Sequence, residues 1–255
     1  MFIKKFASIA ALSLTAIASI SYAGSAHALG FSYSAGAYRD SAVTTEGAFA
    51  KDVNDKDYTT YDFNDGKVPG SNNVKYSFSN GSYSTTAYSG QTGIYSDMWA
   101  PSGAKAEVNT SNYLAVFQGN SVIIENAKNQ VFNYFAFDAG ALSVGNTLQF
   151  FKGTNLVKGL TYDMMNALAP VSASQHGGQM NGVFEFFSEG MNDNFDKIVI
   201  SQTAGGGFES DNHTFRTGSG KYSAKVPEPG VALGLLAVSG VFLRKRKNQK
   251  SLNLG

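Results

Sequence analysis

Val131-Phe132-Asn133-Tyr134-Phe135-Ala136-Phe137-Asp138 and, one short loop later, Thr147-Leu148-Gln149-Phe150-Phe151-Lys152 decide the fold. Successive side chains of a strand point to opposite faces. Phe132, Tyr134, Phe135 and Phe137, then Leu148, Phe150 and Phe151, therefore put large apolar groups on both sides of their segments. Such segments read as central strands covered on both faces, as in two packed sheets.

The same pattern extends outward. After Thr60 the chain is a series of short aromatic and β-branched segments divided by Gly, Asn, Asp and Ser, which is how an all-β domain is written. Val74, Tyr76 and Phe78 alternate with Lys75, Ser77 and Ser79, and Asn80-Gly81 supplies a hairpin dipeptide. Further strands are expected at Asn112 to Phe117, Ser121 to Glu125, Gly182 to Phe187, Asp196 to Ser201 and Gly207 to Phe215, with a helical turn or two at Tyr162 to Ala169 on the rim. The expected architecture is an all-β, jelly-roll-like β-sandwich over residues 61–217. Residues 29–60 are polar and rich in small side chains, and read as a weakly structured lead-in with at most one strand. Residues 218–225 read as a flexible tether.

Both ends of the chain carry addresses. Lys4 and Lys5, the apolar stretch Phe6 to Ile20, and the small-x-small site Ala26-His27-Ala28 compose a signal peptide over residues 1–28, for a signal peptidase to cut after Ala28, with Ser21-Tyr22-Ala23 as the second candidate site. At the other end, Val226-Pro227-Glu228-Pro229 leads into an apolar run, Val231 to Leu243, and the basic cluster Arg244-Lys245-Arg246-Lys247, with residues 248–255 as a tail. The run has 13 residues. As a helix it would cover roughly 20 Å of a ~30 Å hydrocarbon core, which suits transient insertion in the inner membrane. The cations are retained on the cytoplasmic side, which places the preceding domain outside.

Without these segments, 13 bases and 18 acids remain, a net charge of about −5. Such a domain lacks the basic footprint that nucleic acid requires. Cysteine is absent, which removes disulfides, thiol catalysis and thiolate metal sites.

Residues 226–247, with a Pro-Glu-Pro core directly before the helix, resemble the PEP-CTERM sorting signal of exosortase-dependent surface proteins in Gram-negative bacteria. The resemblance implies cleavage by an exosortase near Glu228 and delivery to the cell surface or extracellular matrix. An ordinary single-pass anchor is the alternative. The stretches Tyr134 to Phe137, Gly140, Asn146 to Phe150, Phe195 to Val199 and Phe208 to Asn212 resemble the body that often precedes such signals, a family with no known chemistry. Ala139 departs from it where an aromatic is common, and Ser143 where Asp is common.

Candidate sites are few. Sandwiches of the carbohydrate-binding-module kind often join their first and last strands through a structural calcium, near FDF-like and DN-like sequences. That resemblance implies a calcium set of Asp62, Asn64, Asp65 and Asp211; the alternative is that these side chains bond to their own turns. Asp52-Val53-Asn54-Asp55-Lys56-Asp57 lacks the Gly and distal Glu of an EF-hand and reads as a solvated loop. Tyr88, Tyr95 and Trp99 offer flat rings for a glycan, or else close the end of the core. A glycosidase needs carboxylates about 5 to 9.5 Å apart, whereas Glu185 and Glu189 along a strand stand roughly 13 Å apart. No Gly-x-Ser-x-Gly elbow accompanies His213, and Gly218-Ser219-Gly220-Lys221 lacks the rest of a phosphate loop. The sequence therefore predicts a non-enzymatic surface or matrix protein with a structural or adhesive role. A glycan-binding module for extracellular polysaccharide is the second reading, and a polysaccharide-active enzyme the third.

Overall fold

The computed structural model describes residues 29–69, 73–79, 91–97, 99–140, 142–169 and 182–223. These residues are nearly all β. In chain order the strands are β1 (Gly30–Ser34), β2 (Tyr58–Tyr61), β3 (Val74–Phe78), β4 (Gly93–Tyr95), β5 (Tyr113–Phe117), β6 (Asn120–Asn126), β7 (Phe132–Ala139), β8 (Asn146–Lys152) and β9 (Asn155–Thr161). After the short helix α1 (Tyr162–Asn166) come β10 (Val183–Phe187), β11 (Lys197–Gln202) and β12 (Gly207–Thr217).

Every strand pairing is antiparallel. One sheet runs β1-β10-β7-β12-β5-β4, with β2 pairing the far half of β12. The other runs β3-β6-β11-β8-β9. From β5 to β8, and again from β9 to β12, consecutive strands alternate between the sheets, so the core between them is knitted by crossings rather than by hairpins alone.

That core is aromatic. Phe135, Phe137, Phe184, Phe186, Phe208 and Phe215 from the first sheet meet Val122, Ile124, Leu148, Phe150, Ile198 and Ile200 from the second, all buried. The Phe150 ring lies 4.8 Å from that of Phe186 and 4.9 Å from that of Phe195, centroid to centroid, within the range where such pairs add about 0.5–1.5 kcal/mol beyond area burial.

β7 behaves as its composition predicts, with all eight residues buried. Phe135 and Phe137 face the core, while Tyr134, Ala136 and Asp138 face the opposite side, where Ala48, Ala50, Tyr58 and Val183 cover Tyr134 and Ala136. β8 differs from expectation. Only Asn146, Leu148 and Phe150 are buried, in strict alternation, because the outer face of its sheet is not covered at β8. Phe151 stays half-buried there, with the Lys197 ammonium 4.7 Å from its ring centroid.

Two further expectations are corrected. The N-terminal segment is not a loose lead-in: β1 pairs with β10 over five residues, and Leu29, Ala48, Phe49 and Ala50 are buried. Its burial is divided between the small residues Ala48 and Ala50 and the isolated large ones Leu29 and Phe49, which together carry no hydrophobic period. Nor is the segment after β12 a free tether as far as Ser223. The Gly218 amide donates to Val131 O and that of Gly220 to Asn194 Oδ1; the Tyr222 amide donates to Ser188 O. The Tyr222 ring stacks on Tyr134 at 4.7 Å. The helical turn falls at α1 as expected, with Met165 buried. The Asn80-Gly81 dipeptide lies outside the described residues.

Truncating a core aromatic leaves a cavity, at a cost of about 3–5 kcal/mol for Phe→Ala. Phe135→Ala should lower the unfolding free energy by about that much in a denaturant titration, and Phe151→Ala by well under half of it.

Candidate functional site

The outer face of β7 and β12 carries a feature that an all-apolar strand would not need. Asp138 of β7 and Asp211 of β12 are paired directly across the ladder, and both are fully buried. Beyond that pair the register slips: Ala136 is opposite Thr214, so β12 holds one extra residue between Asp211 and Thr214. A bulge of this kind re-aims side chains. Asn212 takes φ 52° and turns to the same side as Asp211, while His213 faces the core.

Two loops close over the pair. From the N-terminal segment, the Ala48 amide donates to Asp138 Oδ2 at 2.7 Å, and Asn212 Nδ2 donates to Glu46 O and Ala48 O at 2.8 and 2.9 Å. Gly47 sits at φ +77°, and a Cβ there would lie 2.7 Å from Asp138 Oδ2 and 2.9 Å from Asn109 Nδ2. Only glycine fits that close approach at that φ. From the loop before β5, Asn109 Nδ2 donates to Asp211 Oδ2 at 3.0 Å, Ser111 Oγ adds a longer bond at 3.4 Å, and the Asn212 amide caps Asp211 Oδ1 at 2.7 Å.

The two carboxylates are thus unequally served. Asp211 accepts from three partners, and Asp138 from one amide alone. Asp138 Oδ1 and Asn212 Oδ1 are buried without a hydrogen-bond partner among the described residues. Neither carboxylate forms a salt bridge there. Burial pushes both carboxyls well above the ordinary carboxylate range, and each feels a further carboxylate: Asp211 beside Asp138, Asp62 beside Asp211.

The expected calcium set is dispersed. Asp62 forms a 2.7 Å salt bridge with Arg39 and caps the Asn64 amide, and Asp65 caps that of Lys67. Asn64 and Asp65 are exposed. Asp62 and Asp65 cap amides of their own turn, and Asp62 is paired with Arg39; of the set only Asp62 stays within electrostatic reach of Asp211, whose carboxylate is bonded instead to Asn109, Ser111 and the Asn212 amide. No group of three His, Cys, Asp or Glu side chains suited to a metal occurs among the described residues.

The proposed glycan surface is largely closed. Tyr95 and Tyr113 are buried in a small cluster with Ala115 on the outer face of β4 and β5, with Trp99 and Phe117 half-buried against it. Tyr113 Oη donates to Asp97 Oδ1 at 2.6 Å. Nearby Glu209 is nearly buried, and burial, reinforced by the Asp97 carboxylate, raises its carboxyl to about 7. Tyr88, the sorting motif Val226 to Pro229 and the basic cluster Arg244 to Lys247 lie outside the described residues. Glu185 accepts from Tyr134 Oη at 2.7 Å and Ser32 Oγ at 3.3 Å, while Glu189 is exposed in the next turn.

His213, though no nucleophile elbow accompanies it, does have a hydroxyl partner. Its Nε2 is 3.0 Å from Ser210 Oγ and its Nδ1 2.9 Å from Tyr76 Oη. The group is sealed, however: Ser210 and His213 are at 0 % exposure, and the imidazole is ringed by Phe63, Phe135 and Phe137. It ties the two sheets together rather than serving a substrate. At the position where Asp is common in the resembling family, Ser143 donates to Gly207 O at 2.9 Å and accepts from Gln202 Nε2 at 2.9 Å. It closes a corner between the sheets.

Fold and site together define an all-β, two-sheet protein whose N-terminal segment is clamped to one outer face over a buried acidic pair. Compared with known proteins, the chain matches no family model, no curated protein and no solved structure.

Burial lowers the His213 pKa from 6.5 to about 3. Between those values the unfolded chain binds a proton that the folded one refuses, so this group's contribution is complete above pH 6.5 and is lost as pH falls. The destabilisation caused by His213→Gln should therefore shrink on acidification, by up to about 1.4 kcal/mol per pH unit, in denaturant titrations run from pH 7 to pH 4.

Proposed function

We propose that the protein is an exported, non-enzymatic surface or extracellular-matrix component: a jelly-roll-like sandwich of the carbohydrate-binding-module type with a structural or adhesive role, released from the inner membrane by an exosortase. The observation that carries this is the order Pro227-Glu228-Pro229, apolar run, basic cluster, matched by a signal peptide at the other end. A small-x-small site, a short apolar helix and a cytoplasmic stop together describe passage through a membrane rather than residence in it.

The folded domain is compatible with such handling. It holds its chain in place as far as Tyr222, only six positions before Glu228. At about 3.3 Å per extended residue, the processing enzyme works within roughly 20 Å of the folded surface. The domain is free of cysteine, so export makes no demand on disulfide formation. A glycan-binding role through Tyr88, Tyr95 and Trp99 has less support, because Tyr95 is buried at 3 % exposure and its hydroxyl is bonded to Gln91 O.

Replacing Pro227, Glu228 and Pro229 with alanine should leave unprocessed chain in the membrane fraction. Intact mass would then show a species retaining Arg244 to Gly255, in place of one spanning Leu29 to about Glu228 in the matrix or medium. Unchanged release of the variant would count against the sorting role.

A further inference from the structure

We propose that Asp138, Asp211 and Asn212 bind one divalent cation of the calcium class, which locks the N-terminal segment onto the outer face of the first sheet. The argument starts from two acceptor atoms that nothing serves. Asp138 Oδ1 and Asn212 Oδ1 are buried and lack partners, on residues at 0 and 1 % exposure. Leaving such atoms bare is destabilising, the more so for a charged group. Both are acceptors, so what completes them must be positive or a donor.

Among the described residues no donor reaches either atom; the Tyr33 phenol lies near enough to feel the Asp138 charge but bonds to neither. The amide nitrogen of Asn212 is already committed to Glu46 O and Ala48 O. That of Asn109 is committed to Asp211. The nearest backbone donor, the Ala48 amide, is spent on Asp138 Oδ2. The imidazole of His213 lies on the other face of β12 among aromatic rings. Two carboxylates and an amide oxygen form an all-oxygen set, which carries charge −2 once a cation displaces the protons that burial favours. Hard divalent cations favour such a set, calcium most readily because it accepts mixed carboxylate and amide oxygens in adaptable geometry.

The bulge is what creates the set. Without the extra residue in β12, Asn212 would face the core and Asp211 would stand alone opposite Asp138. Two carboxylates and an amide fall short of a cluster of three acidic or imidazole ligands, so water or backbone oxygen completes the shell. The inference is independent of the export reading and survives if that reading fails.

The test uses the purified chain, stripped with chelator, and calorimetry at pH 7 with calcium, with magnesium or with neither. At calcium concentrations near a hundred times the dissociation constant, the midpoint should rise by roughly 5 to 10 °C. Titration should give one calcium per chain. The isosteric double variant Asp138→Asn/Asp211→Asn keeps the shape while removing the charge. Its midpoint should not respond to calcium, and without calcium it should be at least as stable as the stripped parent. Two outcomes overturn the proposal. If neither cation moves the parent's midpoint, a proton holds the pair. If calcium stabilises parent and variant alike, the cation binds elsewhere.

Discussion

A strand buried along its whole length has to be covered twice, and in this protein the whole arrangement follows from finding both covers for β7. The inner cover is conventional, since Phe135 and Phe137 meet the aromatic and aliphatic side chains of the second sheet. The outer cover comes largely from outside the two sheets, with Tyr58 of β2 and Val183 of β10 filling in beside it. It is assembled from the segment before β2 and from Tyr222 after β12, so parts distant in sequence become conditions for one strand's stability. The pairings that place them, β1 with β10 and β2 with β12, join residues roughly 150 positions apart. Long-range contacts of that kind must pay loop-closure entropy before they return anything, which makes folding slow and strongly cooperative.

The outer cover is thin, and that explains its polarity. Gly47, Ala48 and Ala50 bring backbone rather than side chain to the sheet. Backbone must be hydrogen-bonded when buried, and the sheet answers with carboxylate and amide groups: Asp138 for the Ala48 amide, Asn212 for the carbonyls of Glu46 and Ala48. The acidic pair is thus a consequence of packing main chain against a sheet. Its unserved oxygens are what remains once the main chain is satisfied. On the inner side of the same bulge, the opposite solution holds: His213 is kept neutral and bonded at both nitrogens.

The sequence revealed the parts of this design that depend on large side chains. The strands β3, β5, β6, β7, β8, β10, β11 and β12 fall where aromatic and β-branched runs place them, within a residue or two. β4 has three residues, and β9 is an edge strand with Asn155 and Leu156 exposed and Gly159 in its middle, so neither presents a period to read. The N-terminal cover was hidden because its buried alanines and its isolated Leu29 and Phe49 form no period among polar neighbours. At the site, Asp211-Asn212 was visible as a polar break in the last strand, but its partner was sought in Asp62-Phe63-Asn64-Asp65, which is a turn. The usable signal was Asp138 itself, a carboxylate closing a strand whose every other position is buried. A charge there requires a partner, and only the fold shows which residues surround it.

The two ends of the domain meet on one face. Tyr58 and Tyr222 are joined hydroxyl to hydroxyl at 2.8 Å, both rings pack on Tyr134, and the Tyr222 amide is held by Ser188 at the end of β10. Tension applied to the chain beyond Ser223 would enter the first sheet through Tyr134 of β7, with Ser188 after β10 and Tyr58 of β2 sharing the load. Near the other end of that face, Asp138 of β7 and Asn212 of β12 fasten the N-terminal segment to the sheet. Load entering through Tyr222 therefore falls first on β7, a strand paired on both sides. The outer clamp resists peeling of the cover that keeps that strand dry.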